Sequence, residues 1–102
     1  MNFILDRFPP TVEKAVDRLV AGMTFADRTR IANMSEAALI RFHRSYGNFL
    51  RAELRLPGND PLMRSCMSTA AVATITAADA SYVILRALHD RLLTGNILKI
   101  VK

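Results

Sequence analysis

The groups with which this chain could do chemistry are two histidines, one cysteine, nine carboxylates and eleven arginines. His43, Arg51, Glu53 and Asn59 fall where a long helix meets a Pro-Gly turn, so an imidazole, a guanidinium, a carboxylate and an amide can converge there. His43 and Arg51 are a little over two helical turns apart and share roughly one side. No nucleophile neighbours them in sequence, so the reading we favour is a structural polar cluster: His43 partly buried, Arg51 or Asn59 bonding loop carbonyls. Cys66 with either histidine would suggest a thiol enzyme. Nothing around it matches a nucleophile signature, however, and an unpaired cysteine is usually a small buried hydrophobe. His89 with Asp90 reads as a surface pair near a helix end. Two histidines and one cysteine this scattered have no metal-ligand spacing, and no cofactor is expected.

The arginines are the second constellation. Arg41, Arg44, Asn48, Arg51 and Arg55 recur at spacings of three or four, which places them within an arc of roughly 80° along about 21 Å of helix. Such a stripe can grip phosphates or an acidic partner, because arginine binds both bidentately. The plainer reading is a solvated helix face tied by local pairs, with Glu53 and the acidic first helix as partners. A net charge of +5 and a pI near 10.1 permit nucleic acid and exclude an acidic, DNA-mimicking surface. Against nucleic acid, there is no tryptophan, Tyr46 and Tyr82 are the only tyrosines, and no basic run or binding motif occurs. Residues 25–44 outline a helix–turn–helix, but the turn at Met34-Ser35 lacks glycine. Its second helix would enter a groove with Glu36, Ala37 and Ala38, poor readers of base edges.

The elements that must position these groups are helical. A chain of 102 residues with 51% apolar positions makes one domain with its own core. After an extended arm over 1–10, Thr11 caps a helix over about 12–21, whose Val12, Ala15, Val16, Leu19 and Val20 form one stripe. Gly22 ends it, and Thr24 caps a short helix ending near Asn33. Ser35-Glu36 opens a long central helix, about 36–56, with Leu39, Phe42, His43, Tyr46, Phe49, Leu50 and Leu54 on its apolar side. Leu56-Pro57-Gly58-Asn59-Asp60-Pro61 forces a turn, and Asn59 or Asp60 caps a short helix through Leu62, Met63, Cys66 and Met67. Residues 68–78 fit helix or loop equally well. A last helix starts near Thr76 or Asp79, carries Val83, Ile84, Ala87, Leu88 and Leu92, and stops at Thr94-Gly95. The apolar tail over 96–102 reads as strand, helical extension or exchanged segment. Together these describe an all-α, compact bundle of four to five helices.

The single cysteine excludes an intramolecular disulfide framework and suggests a reducing, cytoplasmic setting. The first residues lack a basic n-region and a signal-length apolar run. The longest charge-free stretch, Ser65 to Ala78, is too short and too polar to span a membrane.

The sequence resembles a small, uncharacterised bacterial domain family of unknown function. The residues that carry the resemblance are Ile31-Ala32-Asn33-Met34, then His43, Gly47, Arg51, Glu53, Leu56, Gly58-Asn59 and Leu62. A second block is Asp79-Ala80-Ser81 with Val83-Ile84, Ala87-Leu88 and Leu92. The chain departs from the pattern at Ala52 and Arg55, which stand where it has Asn and Gly, at His89, where it has an aromatic, and over 68–78. The resemblance implies an all-helical fold and carries over no catalytic residue. We therefore expect a non-enzymatic protein-interaction module. Its partner would be protein, with a second copy joined through the terminal segments as one form. The competing class is polyanion binding through Arg41, Arg44, Arg51 and Arg55.

Overall fold

The computed structural model describes residues 8–101, with side chains through Gly95. Five helices follow in chain order: α1 Val12–Ala21, α2 Phe25–Ala32, α3 Glu36–Leu54, α4 Asp60–Ala70 and α5 Ala77–Val101. No strand occurs among the described residues, so the chain is the all-α bundle its periodicity predicts.

Local chemistry sets most of the helix starts. The side chains of Thr11, Thr24, Ser35 and Asn59 each accept from a backbone N–H three residues on, which satisfies a donor that the first turn leaves orphaned. Thr76 does the same for Asp79 at the start of α5. Two helix ends turn left-handed without the glycine that usually marks such a cap. Arg55 and Ala71 close α3 and α4 in the left-handed region, at φ 61° and 58°. The N–H groups of Leu56 and Val72 then reach back to the carbonyls of Arg51 and Met67.

Arg55 is the position at which the resemblance has glycine, and its backbone shows why. A left-handed residue with a Cβ is strained by about 1 kcal/mol, and glycine relieves that strain. Arg55→Gly is therefore expected to raise the unfolding free energy by about 0.5–1 kcal/mol in urea denaturation. No gain would mean that the Arg55 guanidinium, 5.5 Å from the Phe8 ring centroid, offsets the strain.

The third helix is as long as predicted to within two residues, but α5 is longer, with 25 residues against 19. It is α5, not α3, that packs against all four other helices. Its Ala80, Ile84, Leu85, Leu88 and Leu92 are buried, facing Val16 and Leu19 of α1, Ile31 of α2, Leu39, Leu50 and Leu54 of α3, and Leu62 and Cys66 of α4. Ion pairs fasten the periphery to this helix, Arg91 to Asp17 at 2.6 Å and Arg86 to Glu36 at 3.1 Å. The expected stop at Thr94-Gly95 is absent because helix continues to Val101. Gly95 has nothing within 4 Å of a would-be Cβ, and a lone glycine in a helix costs about 1 kcal/mol without ending it. The tail over 96–101 is thus helical extension. Side-chain pairing of the terminal segments, the expected dimer contact, lies outside the described residues. The 68–78 stretch divides, helix to Ala70 and non-helical from Ala71 to Thr76.

Candidate functional site

The predicted convergence of His43, Arg51, Glu53 and Asn59 does not form. Asn59 is buried in the turn between α3 and α4, where its amide donates to the carbonyls of Pro9 (2.9 Å) and Leu54 (3.2 Å). Glu53 points to another side of α3 and pairs with Arg18 of α1 at 3.1 Å. Only His43 and Arg51 meet, and the group that joins them is Ser81 of α5. The Ser81 hydroxyl lies 2.7 Å from His43 Nε2 and accepts from Arg51 Nη1 at 3.1 Å. It is fully buried.

A serine hydroxyl this close to an imidazole invites comparison with a nucleophile and its base. Proton bookkeeping argues otherwise. Ser81 has one hydrogen, and Ala78 O, which can only accept, lies 2.7 Å from Oγ and takes it. His43 Nε2 must then donate, so the imidazole carries a proton where a base would need a lone pair. Both Oγ lone pairs are filled, by His43 and Arg51. Burial, reinforced by the Arg51 charge and opposed by Asp79, holds the His43 pKa below its usual value. Gly47 makes the arrangement possible, since a Cβ there would lie 3.0 Å from both Arg51 Nη1 and His43 Nε2. The cluster is a tie between α3 and α5.

Cys66 is likewise enclosed. Its thiol lies 3.6 Å from Ala80 O, and burial pushes it up to about 11, so it stays protonated at neutral pH. His89 is not the surface pair expected. It sits in the middle of α5, its side chain only 16% exposed, with Nε2 bonded to Met34 O at 3.0 Å and Nδ1 3.8 Å from Asp90. No group of three or more His, Cys, Asp or Glu among the described residues is placed to hold a metal.

Four of the residues that carry the family resemblance, His43, Gly47, Arg51 and Ser81, meet at this tie although Ser81 follows the other three by thirty positions or more. A family model described as Domain of unknown function (DUF6794) matches residues 8–92. The chain belongs to this family. No curated protein and no solved structure matches the DUF6794 chain.

The arginine stripe is broken in this DUF6794 domain. Arg41 and Arg44 are exposed and have no carboxylate within ion-pair distance among the described residues. Arg51 turns inward to Ser81 and Asn48, and Arg55 leaves the helix at its left-handed cap.

What the stripe loses, the opposite flank of α3 gains. Phe42, Tyr46 and Phe49, at positions i, i+4 and i+7, stack successively with ring centroids 4.6 and 5.2 Å apart. They form one wall of a hollow of about 290 Å³, with Leu19 of α1, Met23 of the link after it and Ile31 of α2 opposite. Phe42 and Tyr46 are partly buried against the core, and Phe49 remains 49% exposed. The rim is charged in pairs. Arg18 and Glu53 bridge one end, while at the other Arg30 lies 5.6 Å over the Phe42 ring and 3.9 Å from Asp27. Burial, with Asp27 and Glu53 nearby, raises the Tyr46 phenol above its usual pKa. The spacing of the three aromatics is legible in the sequence; their exposure depends on which helices cover α3.

Proposed function

We propose that this DUF6794 domain is a non-catalytic protein-interaction module, and that the hollow beside α3 is where its partner binds. The observation that carries the reading is the stack of Phe42, Tyr46 and Phe49 along one wall of the hollow, with Phe49 half exposed. Aromatic surface left exposed next to a concave apolar floor is the chemistry of interface hot spots. The rim charges, two arginines against two carboxylates, balance, which favours an apolar protein segment over a polyanion. Among the described residues, polyanion binding keeps only Arg41 and Arg44 of its four arginines on the helix, exposed and without an ion pair. The enclosed Cys66 and the saturated Ser81 support a role without covalent chemistry. The unpaired cysteine supports a reducing compartment. Among the described residues no helix is long and apolar enough to cross a membrane.

Selection of a random peptide library on the immobilised full chain tests this. Enriched peptides are expected to carry large apolar residues, to bind Phe49→Asp at least about tenfold more weakly, and to ignore Arg41→Ala with Arg44→Ala. Enrichment of acidic peptides alone, with salt-sensitive binding that falls with the arginine pair, would transfer the role to the polyanion reading. Peptides that bind Phe49→Asp as well as wild type would remove the hollow from the proposal.

A further inference from the structure

We propose that the open side of α5 is a self-association surface, on which a second copy of this chain lays its own α5 antiparallel about a two-fold axis. The surface shares no residue with the hollow beside α3, so the inference goes beyond the partner site proposed above.

α5 gives Ala80, Ile84, Leu85, Leu88 and Leu92 to the core and still leaves one side uncovered. At about 100° per residue, Tyr82, Val83, Arg86, Ala87, Asp90 and Leu93 fall within an arc of about 140° on the opposite side. A solvent-facing helix side is ordinarily polar. Here Tyr82, Val83, Ala87 and Leu93 make it largely apolar, and Leu93 is 42% exposed. A groove of about 400 Å³ runs beside them, with Thr69 and Ala70 at the end of α4 as its other edge.

Charge identifies the occupant. Arg86 and Asp90 stand one turn apart in the middle of this side. A helix with a cation and then an anion at that spacing is complementary to a reversed copy of itself, and a two-fold axis forms both pairs at once. A parallel copy would set like charge against like. The Asp90 side chain is 72% exposed, and no arginine or lysine among the described residues lies within ion-pair distance of it. Arg86 holds Glu36 through Nη1, and its guanidinium fork has further donors. Setting Arg86 opposite Asp90 puts the axis at position 88. That register brings Tyr82 and Val83 of each copy level with Leu93 and Thr94 of the other, so the apolar residues meet where the charges place them. The contact from Tyr82 to Thr94 spans about 18 Å of helix.

Sedimentation equilibrium of the full chain between about 10 μM and 1 mM tests this, the range in which a contact smaller than a standard interface dissociates. Wild type is expected to approach a dimer. Arg86→Glu and Asp90→Arg are each expected to weaken it at least about tenfold, because the axis repeats every repulsion. Leu93→Asn, outside the core, should weaken it as well. An equimolar mixture of Arg86→Glu and Asp90→Arg restores both opposite-charge pairs and should regain the wild-type dimer, which also shows that both variants are folded. A wild-type monomer throughout the range overturns the proposal. So does a dimer that the three variants leave unchanged, since its contact then lies elsewhere. Weakened single variants whose mixture does not recover overturn the antiparallel pairing.

Discussion

Asn59→Ala is expected to lower the unfolding free energy by about 3 kcal/mol, one of the two largest losses we foresee from a single polar side chain. Asn59 holds three backbone groups of different segments at once. Its Oδ1 accepts from Leu62 N at 3.3 Å, capping α4, while Nδ2 donates to the carbonyls of Leu54 and Pro9. The residue is 9% exposed, so little water is available to replace it. Alanine leaves a donor and two acceptors without their partners, each costing about 1 kcal/mol or more. Asn59→Asp sharpens the test, because it keeps the cap and replaces the NH₂ donor with a carboxylate facing two carbonyl oxygens. At neutral pH it should destabilise at least as much as Asn59→Ala, and it should recover on acidification as the carboxylate takes up the proton it needs to donate. Urea midpoints at pH 7 and 4 measure both variants. A neutral Asn59→Asp would mean that the cap alone matters and that the Pro9 and Leu54 bonds contribute nothing.

What could be read from the chain followed the range of the forces involved. Helix α1 was legible in full because its cap, its Val12–Ala15–Val16–Leu19 stripe and its Gly22 terminus are all contained within a dozen residues. The end of α4 was not, since the left-handed turn at Ala71 carries no residue signal. The prominence of α3 misled for a related reason. Two opposed faces make a helix conspicuous in sequence, whereas a helix surrounded by four others is apolar on several sides and shows a weaker stripe. Centrality belongs to the assembled bundle, and α5 acquires it only when the other helices close around it.

The candidate site divides the same way. Arg51 belongs to the arginine stripe by its position on α3, yet its guanidinium reaches a hydroxyl thirty residues away, and no local pattern announces that bond. Glu53 is two residues from Arg51, about 200° around the helix, so it belongs to the groove side. Phe49 looks like core from its spacing, and becomes surface because α1 and α2 stop short of covering it. The family pattern carried the missing information in part: it paired His43, Gly47 and Arg51 with the Asp79-Ala80-Ser81 block without showing that Ser81 is the link.

Ser81→Ala is the second large effect, with an expected loss of about 2 kcal/mol. The substitution removes one oxygen that serves three partners, and leaves the half-buried His43 and Arg51 donors facing a methyl group. If the cluster is a tie, Ser81→Ala and His43→Gln must be non-additive, with a coupling of about 1 kcal/mol in a double-mutant cycle. The pH dependence supplies an independent check. Because burial and Arg51 lower the folded-state pKa of His43, the unfolded chain takes up the proton first as pH falls through about 6.5. The contribution of neutral His43 is therefore complete above that pH and is lost as pH drops from there toward the lowered folded value. Wild type should lose stability on acidification from pH 7.5 to 5.5 more steeply than His43→Gln. Additive single variants, or a His43→Gln protein with the wild-type pH slope, would separate His43 from Ser81 and reopen the hydroxyl to a chemical role.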